Sequence, residues 1–495
     1  MADTRTATGT GASEAAHAAG TPSPDAPYRP LSDSDVAAIH EATLRVLAAT
    51  GIRCGHEGAL AAYRDAGCAI DGDRVRFDED TVMAAVDRAP RRITLSGRDP
   101  DRDLHLGSGR VYLGTGGAAL DVVDPESGDT RRGRLSDLAR IALLVEHLEH
   151  IDFFLRPTEP QDIAVAVADV NKYYAALTNT RRHVMAGINT PEGLRQVFEM
   201  ASMIAGGDEA LVERPFVSAI CCWVVSPLKI DPHSTGLLMA ALRLGLPVVM
   251  ATAPMAGATS PVTLAGTLVQ MNAELLSGIV LAQAAAPGAR AIYGAVPSVA
   301  NLRDGSYLAA PPEFGLMNAA AAQFARFYGV PIYNSAGLTD SKCSDVQAGY
   351  EKAFSIAQAA LAGADFIHHA AGMLESMSTI SYEQYVIDNE ILGMAKRMTR
   401  GIDMSALDDA VAAIERAGPG GNYLMDELTL ERMRTETYQA TLSNRDSRRE
   451  WERAGRPDIV AEARRRALDI LAQAEPPGLD PVIDAEIRRR FPIEC

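Results

Sequence analysis

Residues 331–369 read PIYNSAGLTDSKCSDVQAGYEKAFSIAQAALAGADFIHH. The stretch opens on a short apolar run, Pro331–Asn334, and closes on another, Phe366–His369, each of strand length. A polar loop follows the first run, and Asp345–Leu361 between them reads as a helix. Strand, helix, strand in this order implies parallel pairing. The same rhythm extends outward in both directions. Further strands are predicted at Phe153–Arg156, His183–Ala186, Phe216–Cys222, Val248–Ala251, Ala291–Tyr293 and Met377–Ser381. Helices fall between them at Asp162–Leu177, Pro191–Ile204, Ser234–Leu244, Pro261–Ala285 and Pro312–Tyr328, with Glu383–Arg397 after the last. Eight such units close naturally into a (β/α)8 barrel, an α/β fold. The competing reading is an open doubly wound sheet, but no Gly-rich dinucleotide turn follows the first strand.

Outside the barrel the pattern changes. Residues 1–30 are rich in Ala, Thr, Gly, Ser and Pro and read as a disordered leader. Residues 31–150 read as an N-terminal α/β extension. Ser32 and Asp35 form a helix-start signature, Val36, Ile39, Thr43 and Leu47 recur at helical spacing, and Gly51 ends the run. Helices at Glu57–Ala66 and Glu79–Arg88 follow. Short runs at Ile93–Leu95, Leu104–Leu106, Val111–Leu113 and Ala119–Val123 then suggest β-hairpins. Gly114-Thr115-Gly116-Gly117 is no Walker motif and reads as a hairpin turn. The barrel is assigned to residues 151–400, and residues 401–495 to a C-terminal helical extension.

The chain has 495 residues and a net charge of −17, so nucleic acid is a poor partner, because phosphate binding needs a basic face. Apolar residues make up 47% and charged residues 22%, an ordinary globular balance. Six cysteines contain no CxxC pair and build no disulfide framework, which fits a reducing cytoplasm. No signal pattern opens the chain, and the longest apolar run, Leu275–Ala286, is too short for a membrane span. Aromatics are only 5%, with two Trp, so any aromatic-lined pocket uses a scarce resource.

Barrel enzymes carry their reactive groups at the C-terminal ends of strands and in the loops beyond. Polar residues gather there: Arg156 to Asp162, Cys221-Cys222-Trp223, Tyr293 with Ser298, Asn301 and Asp304, Tyr333-Asn334 with Asp340 to Asp345, and His368-His369. Alternation along a strand sends one of the paired histidines into the lumen and one of the paired cysteines outward. A zinc–thiolate site from one cysteine with Cys343 and a histidine is conceivable, but no tightly bound metal is expected. Asp340, Ser341 and Asp345 also suit helix caps.

The runs AIYGAVPSVANLRDG (291–305), NSAGLTDSKCSDVQAGYE (334–351) and FIHHAAGML (366–374) resemble the trimethylamine methyltransferase family. So do LGTGGAALDVVDPESGDTRRG (113–133) and the tail Arg464–Asp484. The resemblance covers residues 31–490 and implies a barrel that moves a methyl group from an amine to the cobalt of a corrinoid (cobalamin) held by a separate small protein. Archaeal members carry pyrrolysine in the loop matching Lys342–Ser344. Cys343 is the best match here, so the chain resembles the branch without pyrrolysine, whose members act on quaternary amines such as glycine betaine. Asp340, Lys342 and Cys343 are therefore the catalytic candidates.

The chemistry agrees with that branch. A betaine nitrogen already carries a fixed charge, so its methyl can leave with a neutral tertiary amine, and the protein mainly positions and desolvates the reactants. Methylammonium groups bind over aromatic faces, at ~0.5–2 kcal/mol per ring. Trp223, Tyr293 and Tyr333 stand at strand ends where such a cage would form, with Tyr112, Phe154 and Tyr307 as second choices. Asn334, Lys342, His368 and His369 could donate to a carboxylate. A metal-dependent barrel lyase and a non-catalytic betaine-binding protein are the alternatives. Barrels with helical appendages often pair into homo-oligomers.

Overall fold

A computed structural model describes residues 27–495. The leader assigned to residues 1–30 lies almost wholly outside the described residues. Eight parallel strands form a closed barrel: β1 (Tyr112–Leu113), β2 (Phe153–Leu155), β3 (His183–Gly187), β4 (Val217–Cys221), β5 (Val248–Thr252), β6 (Ala291–Ala295), β7 (Ile332–Ser335) and β8 (Phe366–His368). Each pairs with its successor, β8 pairs back to β1, and a parallel bridge from Gly114 to Phe153 closes the ring. A helix follows each strand: α1 (Leu135–Glu146), α2 (Val165–Leu177), α3 (Pro191–Ala205), α4 (Pro232–Arg243), α5 (Leu264–Ala285), α6 (Pro312–Tyr328), α7 (Val346–Leu361) and α8 (Tyr382–Arg400). The fold is a (β/α)8 barrel.

Seven of the eight barrel strands lie where the sequence rhythm places them; the eighth does not. Thr379–Ser381, inside the segment read as the last strand, pairs instead with Asp121–Val123 in a small sheet outside the barrel. Positive φ at Glu375, Ser376 and Met377 turns the chain out of the wall before it. The vacant place is filled by Tyr112–Leu113, read as hairpin. Likewise Gly114 to Gly117 is not a hairpin turn but the C-terminal end of β1 crossing the barrel mouth. The glycines permit this, since a Cβ at Gly114 would stand 2.4 Å from the Phe153 ring and one at Gly116 2.9 Å from the His369 amide nitrogen.

The barrel floor is plugged by a true hairpin, Ile93–Leu95 against Leu104–Leu106. Its apolar side chains pack with Phe153, Met185, Val249, Ile292 and Phe366 in a core inside the barrel, separate from the core between barrel and helices. Such a floor leaves only the opposite, C-terminal end open. α5 is long and apolar enough to cross a membrane, but most of it is buried, with the helices Asp33–Ala49, Glu57–Asp65 and Glu79–Arg88 packed on it.

Candidate active site

A cavity of about 920 Å³ opens at the C-terminal end of the barrel. Its walls are largely aliphatic, with Leu155, Ile188, Ile220, Ala251 and Val296 among them. Its polar residues include Arg156, Cys222, Tyr333, His368 and His369 from β2, β4, β7 and β8 or just beyond them, with Asn189 after β3 and His233 and Ser234 of α4. Asp121, paired to Arg132, stands on the wall beyond β1.

Tyr333 alternates inward from β7, and its buried hydroxyl has no partner. Its ring stacks on His368 at 4.1 Å between centroids and 14° between planes. His368 donates from Nδ1 to the Asn334 carbonyl at 2.7 Å, because only a protonated ring nitrogen can pair with a carbonyl oxygen. Alternation should then send His369 outward. It does not, because His369 adopts φ 62° at the end of the strand, and the turn brings its ring to 3.7 Å from that of His368. His369 Nδ1 pairs with Ser335 Oγ at 2.9 Å. Burial pushes His368 down to about 3 and holds His369 well below the ordinary imidazole range. Both rings are therefore neutral near pH 7 and do not repel a bound cation.

Arg156 supplies the opposite character. It is largely buried just past β2, its side chain 12% exposed, and its Nε is buried without a hydrogen-bond partner. Burial lowers its affinity for a proton, but a guanidinium stays charged. One edge pairs with Glu159, which also takes Lys172 Nζ at 3.3 Å. Lys172 is itself buried on α2, lies 3.1 Å from Asp169, and is pushed down to about 8 by burial and then by Arg156. Asp169 accepts from the backbone amides of Asn189 and Thr190, which fixes the loop after β3. A second buried pair underlies β7 and β8. Lys352 Nζ stands 3.1 Å from Asp388 and donates to the Gly337 carbonyl, while Asp388 accepts from the Gly372 amide at 2.7 Å.

The remaining sequence-predicted residues lie elsewhere. Trp223 is no part of the cavity wall. The chain leaves β4 after Cys221, and the indole lies buried over Gly278 of α5, where a Cβ would approach to 2.6 Å. Tyr293 points outward and donates to Asn272 of α5 at 2.8 Å. Asn334 also faces outward, with Nδ2 on the Asn318 carbonyl of α6. Phe154 belongs to the outer core, and Tyr112 to the floor, its hydroxyl accepting from the His105 amide. Tyr307 sits outside the main cavity, on the strand Tyr307–Leu308. Asp340 is tied to the amides of Ala309 and Ala310 and to Ser376 Oγ. Asp345 caps α7. Lys342 is exposed and donates to the Asp340 carbonyl, and Cys343 is exposed with Sγ 3.6 Å from Asp345 Oδ2. Among the described residues, no three His, Cys, Asp or Glu side chains are placed to hold a metal ion. Sequence reasoning named Arg156 among the polar residues at strand ends but gave it no role in the site. Its place at the very end of a barrel strand was the available signal.

A family model described as trimethylamine methyltransferase matches residues 2–491. Trimethylamine methyltransferase MttB of Desulfitobacterium hafniense (strain DSM 10664 / DCB-2) is 35% identical over 460 residues, with 92% of each chain covered. Glycine betaine methyltransferase of D. hafniense strain Y51 is 34% identical over 462 residues, covering 93% of this chain and 96% of its own. Among solved structures, the monomethylamine methyltransferase of Methanosarcina barkeri aligns with a TM-score of 0.47 at 12% identity, over 88% of this chain and 92% of its own.

Proposed function

The chain belongs to the trimethylamine methyltransferase family, and on that premise we propose that it takes a methyl group from a carboxylate-bearing quaternary amine of the glycine betaine type and delivers it to a corrinoid carried by a separate protein. The observation that carries this reading is the joint presence, in one apolar cavity, of neutral ring faces and a buried guanidinium with an unpartnered Nε. The rings of Tyr333 and His368 offer π faces to a trimethylammonium head. Arg156 offers a charge-assisted donor to the carboxylate. Trimethylamine would leave that donor unanswered in a dry site, at a cost. Two relatives of equal similarity act, by name, on trimethylamine and on glycine betaine, so the wall residues favour the second.

The chain's own part is then positional. Arg156 and the stacked rings fix the two ends of the substrate, and the aliphatic walls exclude water. No proton needs to reach the nitrogen, because the departing amine leaves neutral. This suits a site whose imidazoles burial has stripped of charge. Reduced corrinoid cobalt supplies the nucleophile when its carrier is docked. The mouth suits such a partner. Leu120, Val165, Val225, Val262, Leu302 and Val346 are all exposed beyond the C-terminal ends of barrel strands, the end at which the cavity opens. Cys343 and Lys342 lie in the segment between β7 and α7, and Cys343→Ser should leave activity close to unchanged.

Isothermal titration with glycine betaine and choline tests the assignment. A hydrogen bond to a charged group is worth ~1.5–3 kcal/mol, and each ~1.4 kcal/mol is tenfold. Arg156→Gln should therefore weaken betaine binding at least tenfold and change choline binding little. Undiminished betaine affinity in a folded Arg156→Gln protein would remove the guanidinium from the site.

A further inference from the structure

The C-terminal extension carries an apolar surface that its own chain leaves bare. Between residues 402 and 433, ten large apolar side chains are exposed; Ile402, Leu407, Val411, Ile414, Leu424 and Met425 are 48–83% accessible. The helix Leu407–Ala417 is turned the wrong way for a surface helix. Leu407, Val411 and Ile414 recur on one face, and that face looks outward, while the small Ala413 is buried. The segment is an arm held at both ends: Arg397 donates to the carbonyls of Gly401 and Glu436, and Tyr438 to that of Glu390. It is not frayed, since Arg416 pairs with Asp426 at 3.0 Å across it.

Three occupants could cover this face. The leader cannot, because residues 1–26 hold one large apolar side chain, Met1. A methyl acceptor would have to engage the cavity mouth, and the arm is rooted at the other end of the barrel. It leaves from the C-terminus of α8, where Lys396 pairs at 2.6 Å with Asp152, the residue before β2. There remains a partner always present in equal amount. The exposed side chains amount to on the order of 1,000 Å² of mainly apolar surface, against ~800 Å² buried per partner in a standard-size interface. Permanent interfaces are also the apolar ones.

We propose that the arm, residues 402–433, is a self-association surface that packs against a second copy of this chain. Sedimentation velocity of the full chain should give an assembly that is a multiple of 52.7 kDa, and Leu424→Asp/Met425→Asp should weaken that assembly at least tenfold. Both positions lie in a turn, outside regular elements. Hydrogen exchange of the unaltered protein across a dilution series provides a readout without mutation, and amides of 402–433 should lose protection as the assembly dissociates. A monomer at tens of micromolar, an assembly unmoved by the double substitution, arm exchange independent of concentration, or protection that arises only with the corrinoid protein present would each overturn the proposal.

Discussion

His368 and His369 hold the centre of the site, and burial decides what they can do. An unfolded histidine titrates at 6.5, whereas His368 in the fold titrates near 3 and His183, under the barrel floor, near 4. Between those values the unfolded chain binds more protons than the folded one. Stability is therefore complete above about pH 6.5 and falls as pH drops toward 3. Urea midpoints measured from pH 8 to 4.5 should be flat above neutrality and decline below 6.5, with a shallower decline in His368→Gln. A His368→Gln slope equal to that of the unaltered protein would contradict the assignment. The aromatic residues divide just as sharply. Trp223→Ala opens a core cavity and should cost about 3–5 kcal/mol of stability, with betaine affinity nearly unchanged in the folded protein. Tyr333→Leu should do the reverse and weaken betaine binding several-fold, at ~0.5–2 kcal/mol for a lost ring. Titration calorimetry beside thermal denaturation separates the two. Sequence read both residues as strand ends, but Tyr333 lies within β7 and Trp223 two residues beyond β4. Sequence could not show that the chain leaves the barrel wall after Cys221, nor that a left-handed His369 brings both imidazoles to the same side.

At the scale of elements, the site rests on buried charges beneath the mouth. Lys352 of α7 and Asp388 of α8 tie down the loops after β7 and β8, the second of which begins at His369. Burial pushes Lys352 down and Asp388 up, and each resists the other's shift. Removing one partner strands a buried charge, at about 3–5 kcal/mol. Lys352→Met should lower the thermal midpoint steeply, and Lys352→Met/Asp388→Asn should recover part of it. Equal, additive losses in the cycle would mean the pair is not coupled. None of this was legible beforehand, because Lys352 and Asp388 look like ordinary helix residues in sequence. The seven longer barrel strands were legible, being apolar runs at regular spacing. β1 was not. It is two residues long, extended by a glycine bridge, and far in sequence from its partner β8, so nothing local distinguishes it from a hairpin.

At the scale of the molecule, a barrel closed at its floor by a hairpin has one working end, and the cavity, the ring faces, Arg156 and the exposed apolar side chains beyond the strand ends all lie there. The arm at the other end leaves that mouth free when copies associate. The net charge of −17 exerts no net pull on a zwitterionic betaine, so selection falls to the guanidinium inside the cavity. The central claim is methyl transfer from a betaine. Its most direct measurement is turnover of glycine betaine, choline and trimethylamine with reduced corrinoid protein, reading methyl-cobalt absorbance and the product amine by mass spectrometry. The account predicts dimethylglycine and methyl-cobalt formed in equal amounts from glycine betaine, with little from the other two. Turnover of trimethylamine with glycine betaine untouched would contradict it.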